Sequence, residues 1–258
     1  MAALLLWISE APGWGWTSAP SLGVAAVALG ALAVWIRLGL RRRYPLINLR
    51  VVRRAEVMLA NATAIGLGIA MYIGLSIASL VAQAPRETGF GLAVPLMWAG
   101  FMMAPLSVGS FAANRVVRVL NRRWDMAVFL PVGAAVMTVA AVLLWLAHGD
   151  FVPLAVGMFL FGAGIGSGYA AMPALIARSV AVDQLGSAVS FNQVLRTVGG
   201  AVGAAISAAV LAAHPSGTSY STEEGITAAF FVGVICCAVV MLALLAHLAR
   251  GRRRGRRS

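Results

Sequence analysis

Between Glu10 and the basic C-terminus, seven stretches of the chain are apolar and carry at most one charge each. A hydrocarbon core about 30 Å thick is crossed by roughly 20 apolar residues rising 1.5 Å each, so every stretch is long enough to span a bilayer as a helix. The pattern predicts membrane helices over residues 21–40, 57–82, 91–113, 126–147, 153–178, 188–213 and 226–249. Pro20, Pro153 and Gly225 stand at or just before helix starts, where a missing donor or a break is tolerated. Pro95, Pro105, Pro131 and Pro173 fall inside spans, where neighbouring helices must re-satisfy the freed carbonyls. The opening MAALLLWI, residues 1–8, is too short to span and lacks the basic start and cleavage motif of a signal peptide. It reads as the end of a helix.

The segments between spans are alternately rich in arginine and almost free of it. All 20 basic residues are Arg, and 19 of them lie at 37–54, at 115–123, at Arg178 and Arg196, and in the tail from Arg250. The other loops hold only Arg86, with five of the eight acids. The positive-inside rule therefore places the arginine-rich loops and the C-terminus in the cytoplasm of a multi-pass plasma-membrane protein. The net charge of +12 sits at span ends, without aromatic interleaving on a soluble domain, so the expected partner is the lipid bilayer and not nucleic acid. With 61% hydrophobic and 11% charged residues, a soluble globule is excluded.

The largest shift in composition is RLGLRRRYPLINLRVVRR, residues 37–54. It divides the chain into a leading piece (1–40: the end of one helix and a second, membrane-spanning one), a basic cytoplasmic hinge (41–56), a six-helix bundle (57–249) and a basic tail (250–258). Packing signals concentrate at Gly162, Gly164, Gly166 and Gly168, which form two interleaved small-xxx-small pairs, and at Gly199 and Gly203 with Gly200 beside them. In lipid such faces let backbones approach closely, and their occurrence in consecutive spans predicts that 153–178 and 188–213 form one tightly packed pair. Cys236 and Cys237 are adjacent, a poor geometry for a disulfide, and His148, His214 and His247 lie in loops or near a helix end. No metal, cofactor or catalytic cluster is expected from them.

The stretch 157–213 resembles the fourth and fifth helices of the C-terminal half in the fourteen-helix drug:proton antiporter branch of the major facilitator superfamily. The resemblance rests on a glycine-rich helix (Gly162 to Gly168), a late proline (Pro173), an acidic loop followed by glycine (Asp183, Gly186), and a helix with Arg196, Gly199 and Gly200. PLINLRVVRR (45–54) is similar to the segment opening that half, and residues 81–109 to its first outer loop and second helix. The resemblance implies an all-α integral membrane protein of seven transmembrane helices plus the N-terminal stub. Residues 57–249 would be the C-terminal half bundle, and 1–40 the linker helices between halves. The chain departs from the pattern in having no counterpart of the N-terminal six helices. The basic loop NRVVRVLNRRW (114–124) also has Asn114 where the family's inner-loop motif has Asp.

A secondary transporter binds its ligand near the midplane, and polar groups at that depth are costly enough to be candidates. Candidates for the cavity are Asn61, Tyr72, Ser76, Gln83, Tyr169, Asn192 and Gln193, with Met97, Trp98, Phe101 and Met102 as an adaptable apolar stripe on the second helix. Arg196 lies about 13 Å into a helix starting at 188, so it either snorkels to the inner face or points into the bundle as a gate. Gly162, Gly164, Gly166, Gly168, Pro173, Gly199, Gly200 and Gly203 are assigned to gating or packing. No acid lies deep in a span, because Glu87, Asp125, Asp150 and Asp183 all fall in loops, and proton coupling is therefore expected from a missing N-terminal half. The expected function is the C-terminal portion of a proton-coupled exporter of hydrophobic or amphipathic small molecules, including multiple drugs. It would work by alternating access and be incomplete alone. The rivals are a non-transporting membrane scaffold and an intramembrane lipid-modifying enzyme, though no carboxylate, His or Ser/Lys constellation at membrane depth supports the latter.

Overall fold

The computed structural model describes residues 55–95, 100–215 and 220–255, with scattered positions between Ser18 and Val34. The stub 1–8, the hinge up to residue 54, and Met97 and Trp98 lie outside the described residues, and so does much of the 21–40 span. Six long helices follow one another: α1 (Ala55–Gln83), α2 (Ala104–Leu120), α3 (Met126–Ala147), α4 (Phe151–Ser179), α5 (Val182–Ala212) and α6 (Glu223–Gly255). Five are long and apolar enough to cross a membrane, namely α1, α3, α4, α5 and the Glu223–His247 part of α6. The described residues are all-α, as expected, apart from an isolated bridge between Pro215 and Ser221.

The second span departs from the expected 91–113. After α1 the chain folds back, and the amides of Leu92, Ala93 and Val94 donate to the carbonyls of Val81, Ala84 and Ala82 at 3.0, 2.9 and 2.8 Å. They take up carbonyls at the end of α1 that a helix leaves unpaired. A Cβ on Gly91 would overlap the Ala84 and Pro85 carbonyls, and Phe90 is buried beneath the turn. Pro95 disfavours helical backbone at Val94. The chain resumes in a 3₁₀ turn, Gly100–Met103, so Phe101 and Met102 stand on that turn and not on an α-helical stripe. Pro105 falls in the first turn of α2, where its missing N–H costs nothing, and not within a span. α2 then runs on through Arg115 and Arg118, which shrinks the basic loop to residues 121–125.

α5 also begins early. Only Val180 and Ala181, both extended, separate it from α4. Asp183 is thus in the first turn of α5, where a carboxylate suits the positive helix end, and not in a loop. Measured from Val182, Arg196 is about 21 Å along its helix, well beyond the depth expected from a start at 188.

α4 is the central helix, packing on α2, α3 and α1, while α6 packs on α3 and α1. α5 lies along α1 and barely meets α4, which overturns the expected α4–α5 pair. The glycine rows show why. Gly162 and Gly166 lie one above the other and face α2, where a Cβ would strike the carbonyls of Leu106 and Ser110. Gly164 points to a different side, against Gly133 and Met137 of α3, and Gly168 meets Leu67 of α1. Gly199 and Gly203 face the carbonyls of Ile65 and Ile69 on α1, and Gly68 reciprocates against that of Arg196. Each row of small residues therefore serves a different partner, as close approach in lipid requires only a smooth face on whichever helix lies opposite.

Candidate functional site

The close α1–α5 seam brings polar side chains within reach of one another. Asn192 Nδ2 donates to the Ala60 carbonyl and to Asn61 Oδ1, both at 3.0 Å. Asn61 and Asn192 are 5% and 7% exposed, and Asn61 Nδ2 has no partner. One turn beyond Asn192, the guanidinium carbon of Arg196 lies 3.8 Å from the centre of the Tyr169 ring on α4, a cation–π contact. The Tyr169 hydroxyl donates to Met71 Sδ on α1 at 3.2 Å. Tyr72 covers Gly200, where a Cβ would strike its ring, and stays 39% exposed. Five expected site residues, Asn61, Tyr72, Tyr169, Asn192 and Arg196, thus fall on one polar tract crossing α1, α4 and α5.

Other candidates are not drawn into this tract. Gln83 is exposed at the last turn of α1, where its Nε2 donates to the backbone and hydroxyl oxygens of Ser79 at 3.1 and 2.9 Å. Phe101 is exposed on the 3₁₀ turn, and Ser76 is half-buried on α1. Among the described residues Arg196 meets no acid, and Asp183 stands roughly 20 Å away along α5. The acids sit at helix ends: Glu56, Asp183, Glu223 and Glu224 in first turns, and Asp125 and Asp150 at N-caps. Glu87 is in the 3₁₀ turn after α1.

The outer faces of the bundle differ in chemistry. On α3 and α6 the exposed positions include Val132, Val139, Leu146, Ile235, Val239 and Leu242, which suit lipid. On α5 they include Ser190, Gln193 and Thr197, and on α1 Tyr72 is exposed. A face of this kind does not belong against acyl chains.

A Major Facilitator Superfamily model matches residues 106–258, more than half of the chain. The chain belongs to this superfamily. The match begins within α2 and runs to the C-terminus, and it makes membrane transport the general activity of this major facilitator protein. No curated protein matches the chain.

The arginine-rich end of this major facilitator protein is clasped by contacts that sequence reasoning missed. Arg178, in the last turn of α4, donates to the α3 N-cap Asp125 at 2.5 Å, and the Ser179 hydroxyl donates to the Glu56 carboxylate of α1. Asp125 caps α3, its Oδ1 accepting from the Ala127 amide, but nothing local pairs it with a residue 53 positions away. The Arg178 hydrogen bond holds the Asp125 carboxyl below its ordinary 3.8, against a smaller upward push from partial burial. A depressed carboxylate contributes stability above its unfolded value, and that contribution is lost as pH falls through the folded value. Asp125→Asn is therefore expected to lower the melting temperature slightly at pH 7, by no more than the ~0.2–1 kcal/mol of an exposed pair. The difference should begin to shrink as pH falls past 3.8 and vanish once pH is below the depressed folded value, when both proteins are melted across a pH series. A gap that widens in acid would refute the pairing.

Proposed function

We propose that this protein is an exporter of hydrophobic or amphipathic small molecules, driven by protons and working by alternating access, as the drug:proton antiporter resemblance implies. In this reading α1–α6 form the C-terminal half bundle behind the basic hinge (41–56), with residues 1–40 as linker helices. The arginine-rich ends and the tail 250–258 face the cytoplasm. The observation that supports it is the polar outward face of Ser190, Gln193 and Thr197 on α5, which needs water or a second bundle in front of it. That second bundle supplies the facing wall of the cavity and the acid that couples protons, since the acids described here stand at helix ends.

Everted membrane vesicles containing the chain together with its facing bundle, with Cys236 and Cys237 replaced by alanine, test this. Dye uptake under an imposed proton gradient is expected to stop when Gln193→Cys or Thr197→Cys reacts with a charged thiol reagent. It should continue when Val139→Cys or Leu242→Cys is treated alike. Uptake that ignores the gradient, or equal inhibition at all four positions, overturns the reading.

A further inference from the structure

We propose that the ligand of the α1–α4–α5 tract is an acidic amphiphile, an organic anion with an apolar or aromatic body, and that Arg196 binds its head group. The proposal rests on the transporter reading above and adds the chemical class of the substrate.

Direction is the first reason. Arg196 lies about 21 Å along α5, and its side chain does not run back along the helix toward the polar first turn. The guanidinium instead turns sideways onto Tyr169. The second reason is what the contact leaves undone. Stacking on a ring uses one face of a planar group whose five N–H donors point outward from its edge. Among the described residues none of these donors has a hydrogen-bond acceptor and no carboxylate is paired with the charge. A cation so placed, without a counter-ion, is costly in a membrane and marks an ion or substrate path.

The surroundings define the rest of the ligand. Tyr169 provides aromatic surface against the guanidinium, Tyr72 lies over Gly200 one turn further along α5, and Gln193 and Thr197 are exposed on the same helix. An edge of N–H donors matches a carboxylate, sulfonate or phosphate, taken in pairs of parallel hydrogen bonds. The rings match an apolar body. An organic cation would meet a like charge here, with no acid among the described residues to offset it.

The test compares two probes with the same ring system and opposite charge, 2-naphthalenesulfonate and 2-naphthyltrimethylammonium. Binding to the full chain is measured in phosphatidylcholine nanodiscs, with empty discs subtracted. The sulfonate is expected to bind at least about tenfold more tightly than the ammonium compound. Arg196→Gln should weaken the sulfonate by about ten- to a hundredfold, the range of a charge-assisted hydrogen bond, and leave the ammonium probe no weaker. Arg196→Lys keeps the charge and loses the fork, so it should fall between; it carries the test alone if the glutamine variant does not fold.

Equal affinity for the two probes, an unchanged sulfonate affinity in both variants, or binding of neither probe overturns the proposal. The first is also the result expected if a carboxylate of the facing bundle already occupies Arg196. Adding phosphatidylglycerol separates two sources of the anion: competition assigns the site to a lipid head group, and indifference assigns it to a solute. Gradient-driven dye uptake without sulfonate preference leaves the transporter reading standing and removes only the substrate class. Loss of both removes both.

Discussion

Gly199→Leu is expected to leave little correctly folded protein, while Gly186→Leu on the same helix is expected to be harmless. A Cβ at 199 would overlap the backbone of Ile65, so the added side chain can be accommodated only by moving α1 and α5 apart. Gly203 stands in the same relation to Ile69, and the two together set the spacing of the seam. Overpacking a core costs about 1–3 kcal/mol when side chains can yield, and more when the obstacle is a backbone. At Gly186 nothing lies within 4 Å, so a side chain extends into open space. Detergent extraction, gel-filtration profile and thermal unfolding of the two variants check this. A Gly199→Leu protein that is monodisperse and melts like the parent would mean that α1 and α5 do not touch along this row. It would also take away the frame that brings Asn61 and Asn192 together.

The second large effect concerns that buried amide pair. Asn192→Leu is expected to cost about 1–3 kcal/mol, because Asn61 then keeps both its polar atoms buried, with its Oδ1 losing the one donor it had. Removing both amides, Asn61→Leu with Asn192→Leu, should recover part of that loss, since no buried polar group is then left without a partner. A double-mutant cycle by thermal unfolding in a single detergent reads the coupling directly. Strict additivity of the two single changes would show that the amides do not interact. Asn61 Nδ2 is already buried without a partner, so the single Asn192 change leaves the whole Asn61 amide unsatisfied.

How far each feature was legible follows from the range of the forces behind it. The bounds of α3, Met126–Ala147, coincide with the expected span because a capping acid precedes the apolar run and polar residues follow it at once. α2 was displaced because hydropathy registers the apolar residues after Leu92 without knowing that their amides are needed by the end of α1. The start of α5 was misplaced because Val180 and Ala181 break the helix with no glycine or proline to mark them. That error also shortened the distance counted from the helix start to Arg196. Phe101 and Met102 were placed on an α-helix because hydropathy does not distinguish it from a 3₁₀ turn, which does not repeat as an α-helix does.

By itself the sequence determined the membrane class, the all-α architecture and the positions of the small-residue rows. Transfer into lipid acts residue by residue, and backbone self-satisfaction acts within one helix, so both can be read along the chain. Only the tertiary structure decided which helix each glycine row faces, that α5 leans on α1 and not on α4, and that Arg178 closes on Asp125. It also decided that Arg196 lies on Tyr169. A smooth helical face accepts any partner of matching shape, and a charged side chain any opposite charge or ring within reach. The choice among them is settled by how all six helices pack at once.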